Sequence, residues 1–181
     1  MDVYHAIKTM RSIRQFTQEN VRDETITKIL EAGRWAGSAK NTQPCQFIVV
    51  KNHEMLSRLA ACGKYASHLR DAAFSIVVVT EPVALAAEFD SGRAIQNMML
   101  AAWDEGVGSC MATLQPDEDE AKRALAVPDD LKIQQAISFG YPSGGPPTIE
   151  GKPLKDVLAQ TGRKPLADIV HYEKWKQESA D

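Results

Sequence analysis

The segment Phe-Ser-Ile-Val-Val-Val-Thr at residues 74–80 constrains the fold of this chain more than any other segment. Its residues are apolar and β-branched almost without interruption, which is the pattern of a strand covered on both faces. Pro82 follows the segment and marks its end. The chain has 181 residues, enough for one domain with a substantial core around such a strand.

The rest of the sequence alternates between helical and extended patterns. Further strands are predicted at residues 46–51, 107–111 and 134–140, and a loop rich in Pro and Gly at 141–153. Helices are predicted at residues 2–10, 53–61 and 90–105, from an N-cap at Asp23 to about residue 37, and from residue 117 onward. One helical turn is predicted at 154–158, and a last helix after Pro165 that includes Tyr172 and Trp175. The helix at 90–105 has apolar residues around most of its circumference, which predicts burial in a core or against another subunit. The alternation indicates an α/β or α+β fold.

Composition and charge exclude several classes of function. The formal net charge of −3 gives no global field that would attract nucleic acid or an anionic membrane. The four His and three Cys show no metal-ligand spacing, and the odd number of Cys argues for a reducing compartment. The first residues lack a basic region followed by an apolar one, so no signal peptide is expected. We therefore expect a cytoplasmic protein without a metal site, which binds neither nucleic acid nor a membrane.

The segment Arg11-Ser12-Ile13-Arg14 is the strongest candidate for a ligand site. Its two guanidinium groups and one hydroxyl suit a dianionic phosphate, because arginine offers paired donors in a planar fork. A polar loop at 38–44 runs directly into the strand at 46–51. Together the two segments predict a cofactor with a phosphate and a heteroaromatic head. No strand is followed by Gly-x-Gly-x-x-Gly, so a Rossmann dinucleotide site is not predicted.

No compact set of catalytic side chains accompanies this candidate site. Cys110 follows Gly108-Ser109 within an apolar stretch, which favours a buried, inert thiol over a nucleophile. His171 lies near two aromatic residues and is interpreted as a packing or interface residue. A flavin enzyme needs no such set, because the cofactor carries out the redox chemistry itself.

The chain resembles the FMN-dependent nitroreductase family over nearly its whole length. Five segments carry the resemblance in the order of the family: residues 11–16, 38–47, 94–110, 139–142 and 163–166. The resemblance implies an α+β fold with a central, mostly antiparallel sheet flanked by helices. It also implies a single FMN-binding domain over 1–181 and an intertwined homodimer with two FMN molecules at the interface.

The resemblance also implies which residues hold the cofactor. Arg11, Ser12 and Arg14 match positions that grip the FMN phosphate and ribityl chain, and the C-terminal Arg163 and Lys164 match positions that reach the same phosphate. Ser38, Ala39 and Asn41 match a loop that approaches the flavin from the other subunit. Met111 and Ala112 match positions whose backbone groups meet the flavin ring, and Gly140 matches a loop near the pocket.

Four positions depart from the family pattern. Met10 stands where the family often has Arg, so one contact with the phosphate or within the fold is expected to be missing. Gly37 stands where the family often has Pro, and this exchange predicts a more mobile loop. Cys45 and Met111 stand where Trp is frequent. The loss of two large rings near the cofactor predicts a wider or reshaped substrate side.

The implied function is that of an FMN-dependent NAD(P)H oxidoreductase. NADH or NADPH would pass a hydride to flavin N5 and leave, and a small electron-poor acceptor such as a nitroaromatic, quinone or enone would then be reduced at the same face. Such an exchange predicts ping-pong kinetics without a catalytic side chain. Two alternatives stay open: a specialised flavin dehydrogenase or dehalogenase for one metabolite, and a flavin-binding protein with little turnover.

Overall fold

A computed structural model describes residues 2–81, 86–144 and 162–175 of the chain. The chain divides into two compact units, residues 1–147 and residues 148–181. The predicted helical turn at 154–158 and most of the predicted loop at 141–153 lie outside the described residues. The interpretation of residues 1–181 as a single domain stays a prediction.

The described residues form helices and strands close to those predicted. The helices are α1 (Val3–Thr9), α2 (Asp23–Arg34), α3 (His53–Cys62), α4 (Ala87–Asp104), α5 (Glu118–Leu125) and, in the second unit, α6 (Leu166–Ile169). The strands are β1 (Gln46–Val50), β2 (Phe74–Thr80), β3 (Gly108–Ala112) and β4 (Lys132–Gly140). Among the described residues, no helix is both long enough and apolar enough to cross a membrane.

The four strands form one antiparallel sheet in the order β1-β2-β4-β3. The register pairs Ile48 with Val77, Ile76 with Ile137 and, at the outer strand, Cys110 with Ser138. All seven residues of β2 are buried, as the uninterrupted apolar run predicts. The α+β fold with an antiparallel sheet is therefore confirmed.

Helices cover both faces of the sheet. On one face, Leu56 and Leu59 of α3 pack in a cluster with Val77. On the other face, Ile29 of α2 and Met98 of α4 pack in a second cluster, which contains the alternate residues of β2 and β4. Because successive side chains of a strand point to opposite faces, the apolar run at 74–80 supplies both clusters. The sheet and its two helical layers thus leave the outer edge of β3 as a rigid support for a site.

The prediction that α4 is apolar around most of its circumference is wrong. Ala94, Ile95, Met98, Met99 and Ala102 lie on the buried side of the helix. The opposite side is exposed at residues 88–89, 92–93 and 96–97. The apolar residues recur at intervals of three and four, so a helical period places them on one side only.

Two helix ends also differ from prediction. Asp23 is the first residue of α2, not its N-cap; Arg22 occupies that position, and no side chain caps the helix. The carboxyl group of Asp23 still lies in the first turn, where the helix dipole favours negative charge. The last helix, α6, ends at Ile169, so Tyr172 and Trp175 follow it and do not belong to it. With only four residues, α6 satisfies few of its backbone groups internally.

Candidate functional site

The N-terminal segment after α1 lies along the outer edge of β3. Ser12 forms a parallel bridge with Ser109, and the Ile13 N–H donates to the Ser109 carbonyl at 2.9 Å. Farther along, Phe16 forms an antiparallel bridge with Pro142. The segment predicted to bind a phosphate is therefore extended and fixed to the sheet by backbone hydrogen bonds.

Two glycines allow this close approach. A Cβ atom at Gly108 would lie 2.7 Å from the Ile13 Cβ, and one at Gly140 would lie 2.9 Å from the Phe16 Cδ1. Both distances are shorter than a van der Waals contact between carbon atoms, which is about 3.5–4.0 Å. A side chain at either position would displace the N-terminal segment from the sheet.

The three polar residues of this segment differ in their surroundings. One guanidinium nitrogen of Arg11, Nη1, donates to the carbonyls of Lys8 and Met10, both at 2.8 Å. A cation is favoured there, because the last carbonyls of a helix carry partial negative charge. Ser12 and Arg14 are exposed. Arg11 thus stabilises the end of α1, and Ser12 and Arg14 are accessible to a ligand.

A buried polar cluster, which no sequence pattern predicted, lies behind this edge. His68 is only 5% exposed, and its Nδ1 atom is hydrogen-bonded to the Ser138 hydroxyl at 2.7 Å. That hydroxyl donates in turn to the Cys110 carbonyl at 3.3 Å. The other ring nitrogen of His68, Nε2, is buried and makes no hydrogen bond within the described residues. The cluster connects residues 67–69 to the two strands that carry the site.

The positive charge of Arg14 acts on this cluster. Burial lowers the pKa of His68, and the charge of Arg14 lowers it further. A hydrogen-bonding effect of the Met111 backbone raises this pKa in part. Burial raises the pKa of the Cys110 thiol, against lowering effects of Arg14 and of a hydrogen bond with Ser12. Cys110 is therefore a protonated, buried thiol at neutral pH, in agreement with its interpretation as unreactive.

The neutral state of His68 leads to a prediction about pH. When folding lowers the pKa of a histidine below its ordinary value of 6.5, the unfolded state binds more protons in acid. Stability should therefore fall as the pH drops from about 7.5 to about 5.5. The variant His68→Asn should show a flatter dependence of the melting temperature over this range. An equal slope in both proteins would contradict a neutral, buried His68.

Met111 lies at the open edge of β3, beside the exposed residues of the N-terminal segment. The carbonyl of Ser109 points outward to that segment, and residues two apart in a strand point their backbone groups in the same direction. The backbone of Met111 therefore also points to the open edge, and Met111 is 49% exposed. Ser12, Arg14 and the Met111 backbone are thus grouped along one edge.

Two other predicted site residues are buried. Ala112 belongs to the cluster on the α3 face, and Gly140 is the last residue of β4, paired with Gly108. The backbone of Ala112 points to β4, where Ala112 pairs with Ala136, because the backbone groups of successive strand residues alternate in direction. Gly140 lies beneath Phe16, so its position supports packing of the N-terminal segment. Contact of either residue with a cofactor stays a prediction.

The predicted cofactor loop forms a second group, which lies against α4. Residues Ala39–Asn41 form a 3₁₀ turn, and the Ala39 N–H donates to the Asp90 carboxylate at 3.0 Å. Ser38 is partly buried, whereas Ala39 and Asn41 are exposed. A pocket of about 170 Å³ adjoins the loop, lined by Gly33, Arg34, Ala36, Gly37, Ser38, Gln43, Pro44, Cys45, Phe47, Asp90 and Ala94. A hydrogen bond from Ala39 connects this loop to α4, whereas a backbone hydrogen bond connects the N-terminal segment to β3.

The predicted C-terminal cations lie in the second unit. Arg163 and Lys164 are both exposed and precede Pro165, the residue before α6. Their exposure leaves both charges accessible to an anion. Their role at the phosphate stays a prediction.

The donor groups of the β3 edge fit a phosphate-bearing heteroaromatic ligand. Exposed Ser12 and Arg14 supply a hydroxyl and a guanidinium group for a phosphate. The backbone N–H of Met111 can donate to a heterocycle. Within the residues that the structure describes, no three His, Cys, Asp or Glu side chains lie close enough to hold a metal ion.

Comparison with known families gives a match over most of the chain. The family model described as the Nitroreductase family matches residues 7–62 and 56–141. These two overlapping ranges contain the N-terminal segment, the loop at 38–43 and all four strands.

Individual proteins are similar over nearly the whole length. A protein of Methanothermobacter thermautotrophicus, provisionally named an NADH dehydrogenase/NAD(P)H nitroreductase, is 34% identical over 97% of this chain and 88% of its own length. A crystal structure of a provisionally named nitroreductase from Desulfovibrio desulfuricans in complex with FMN is 32% identical, with a TM-score of 0.79 over 97% of this chain and 99% of its own. A nitroreductase family protein of Clostridium difficile 630 shares the fold, with a TM-score of 0.81, 24% identity and coverage of 97% of this chain and 100% of its own.

Proposed function

Since this chain belongs to the nitroreductase family of oxidoreductases, we propose that it binds FMN and uses NADH or NADPH to reduce a small electron-poor acceptor. The observation that carries this proposal is the grouping of Ser12, Arg14 and the Met111 backbone along the open edge of β3. FMN carries its phosphate and its ring at opposite ends of a ribityl chain, so it needs these two kinds of donor on one surface, separated by the length of that chain.

The residues of this chain would bind and orient the cofactor. Arg14 and Ser12 would hold the phosphate, and Arg11 would contribute through the guanidinium nitrogens that do not bind the carbonyls of α1. By resemblance to the family, Arg163 and Lys164 would add positive charge to an FMN phosphate. The backbone of Met111 would meet the ring, and Ala112 would lie next to it at the end of β3. When bound, FMN would supply hydride transfer between the nicotinamide and an acceptor such as a nitroaromatic, quinone or enone.

We expect no side chain of this chain to act as a catalytic acid or base. The two titratable groups behind the β3 edge are buried: burial lowers the pKa of His68 and raises that of Cys110. Both groups are therefore neutral near pH 7, which keeps ionised groups out of the support beneath the ring.

A homodimer would complete the site, with the loop at 38–41 of one subunit over the flavin of the other. Exposed apolar side chains support this part of the proposal, because those of α1 lie three and four residues apart and so form a continuous apolar surface on one side of that helix. They are Val3, Tyr4 and Ile7 of α1, Phe89 of α4, and Trp35 after α2. Gel filtration with light scattering should give twice the mass of the chain, and an FMN-binding monomer would contradict a shared site.

The visible absorption spectrum tests the proposal directly. The purified chain should contain FMN or take it up, and NADH or NADPH should then bleach the flavin absorption rapidly, with reoxidation by a quinone or a nitroaromatic. A chain that takes up no FMN would refute the proposal. Rapid reduction without reoxidation by any general acceptor would favour a specialised dehydrogenase or dehalogenase, and slow reduction by both nicotinamides would favour a flavin-binding protein with little turnover.

A further inference from the structure

The loop at 38–43 has a backbone that its own residues disfavour. Lys40, Asn41 and Gln43 have positive φ angles of 51°, 56° and 50°. The left-handed region is unfavourable for residues with a Cβ atom, although asparagine tolerates it better than lysine or glutamine. Contacts with the rest of the structure must therefore stabilise this conformation.

Most hydrogen bonds of the loop are internal. The Asn41 N–H donates to the Ser38 carbonyl at 3.1 Å, and the Gln43 N–H donates to the Ser38 hydroxyl at 2.9 Å. The hydrogen bond that connects the loop to a neighbouring element runs from the Ala39 N–H to Oδ2 of Asp90, at 3.0 Å. Internal bonds maintain the shape of the loop, whereas the bond to Asp90 fixes its place on α4.

Asp90 is well placed to accept this bond. Its side chain is only 6% exposed, and Arg93 Nη1 lies 3.6 Å from its other oxygen, Oδ1. A buried carboxylate is tolerated when it is paired and hydrogen-bonded. Asp90 also lies in the first turn of α4, where the helix dipole stabilises negative charge. The acceptor is therefore held rigidly, with its charge compensated.

Gly37 makes room for the same arrangement. A Cβ atom at this position would lie 2.6 Å from Arg93 Nη2. The guanidinium group of Arg93 thus packs against the backbone where the loop begins, and binds Asp90 from there. Glycine at position 37 is compatible with this contact between the loop and α4.

We propose that Asp90 is a positioning residue, which fixes the loop at 38–43 on α4 and thereby sets the place of the loop in the cofactor site. The second half of this statement rests on the proposed function. Arg93 compensates the charge of Asp90, and Gly37 provides the space for Arg93. Asp90 would act on the ligand through the loop.

Three variants of the full chain test this inference. Asp90→Ala removes the acceptor, whereas Asp90→Asn keeps an oxygen at the same place and remains informative if the alanine variant does not fold. Glu88→Gln is the matched control, since Glu88 lies in the same first turn but pairs with Lys132 on the surface, at 2.6 Å. Each variant is compared with the wild type before and after the addition of FMN.

Hydrogen exchange and thiol labelling report on the loop without FMN. In Asp90→Ala, the Ala39 amide should exchange about tenfold faster or more, because a hydrogen bond to a charged group is lost. Cys45 lines the pocket beside the loop and should react faster with iodoacetamide. Burial and the charge of Asp90 both raise the pKa of Cys45. Both Asp90 variants remove that charge and so change the pKa of Cys45 in the same way. Faster labelling in Asp90→Ala than in Asp90→Asn would therefore report the opening of the loop and not the loss of charge.

Titration with FMN tests whether Asp90 sets the place of the loop in the cofactor site. The dissociation constant for FMN should rise about tenfold in Asp90→Ala, rise less in Asp90→Asn, and stay at the wild-type value in Glu88→Gln. Unchanged exchange at Ala39 in Asp90→Ala would overturn the role of Asp90 in the loop. A looser loop with unchanged FMN affinity would overturn its role in the cofactor site. A wild-type chain without affinity for FMN would refute the proposed function, and the exchange rates would still decide whether Asp90 holds the loop.

Discussion

Replacement of Arg14 with alanine should raise the dissociation constant for FMN by about 10- to 100-fold, because a hydrogen bond between charged groups contributes about 1.5–3 kcal/mol. Arg14 is exposed next to the open edge of β3, and its charge acts on His68 and Cys110 behind that edge. A phosphate at this edge would therefore be within the field of the guanidinium group. Fluorescence titration of FMN with the wild type and the variant measures the change.

Three further variants separate the possible causes. Arg14→Lys keeps the charge without the paired donors and should recover only part of the affinity. Arg22→Ala removes an exposed arginine at the start of α2 and should leave FMN affinity unchanged. Arg11→Ala should lower the melting temperature of the FMN-free chain as well, since Arg11 binds the last carbonyls of α1. Equal FMN affinity in Arg14→Ala and the wild type would remove Arg14 from the phosphate site.

The sequence predicted those parts of the fold that depend on local pattern. β2 was predictable because an uninterrupted β-branched run suits burial on both faces. The strand order β1-β2-β4-β3 was not, because β4 lies between β2 and β3 through contacts between residues far apart in sequence. The exposed side of α4 was missed because a count of apolar residues ignores their phase around the helix.

In the candidate site, too, local patterns were predictable from the sequence and long-range contacts were not. The pattern of Arg11, Ser12 and Arg14 indicated an anion site, but the folding of Arg11 onto α1 depends on where that helix ends. His68 and Asp90 were not assigned a role from the sequence. A single histidine or aspartate carries no pattern, and each gains its role only from tertiary contacts, with Ser138 for His68 and with Ala39 for Asp90. No periodicity signals such contacts.

The second large effect is expected at Gly63, where alanine should lower the free energy of unfolding by about 2–3 kcal/mol. A Cβ atom there would lie 2.2 Å from the Thr113 carbonyl oxygen and 2.8 Å from the Ala66 Cβ. The backbone angles of Gly63, φ −124° and ψ 136°, are open to any residue, so the cost comes from space. A backbone oxygen cannot rotate away as a side chain can, and the chain after β3 must move.

This movement should also reach the cofactor site. The Lys64 N–H donates to the Gln115 carbonyl at 3.0 Å, and residues 67–69 bring His68 to Ser138. A shift of Thr113 is transmitted to Met111, two residues earlier on β3, so FMN affinity should fall together with stability. Gly92→Ala is the matched control: nothing lies within 4 Å of a Cβ atom there, and the exchange should stabilise α4 by about 0.5–1 kcal/mol. Urea denaturation measures the free energy of unfolding of both variants, which should change in opposite directions. A Gly63→Ala protein as stable as the wild type would contradict a steric conflict with the Thr113 carbonyl.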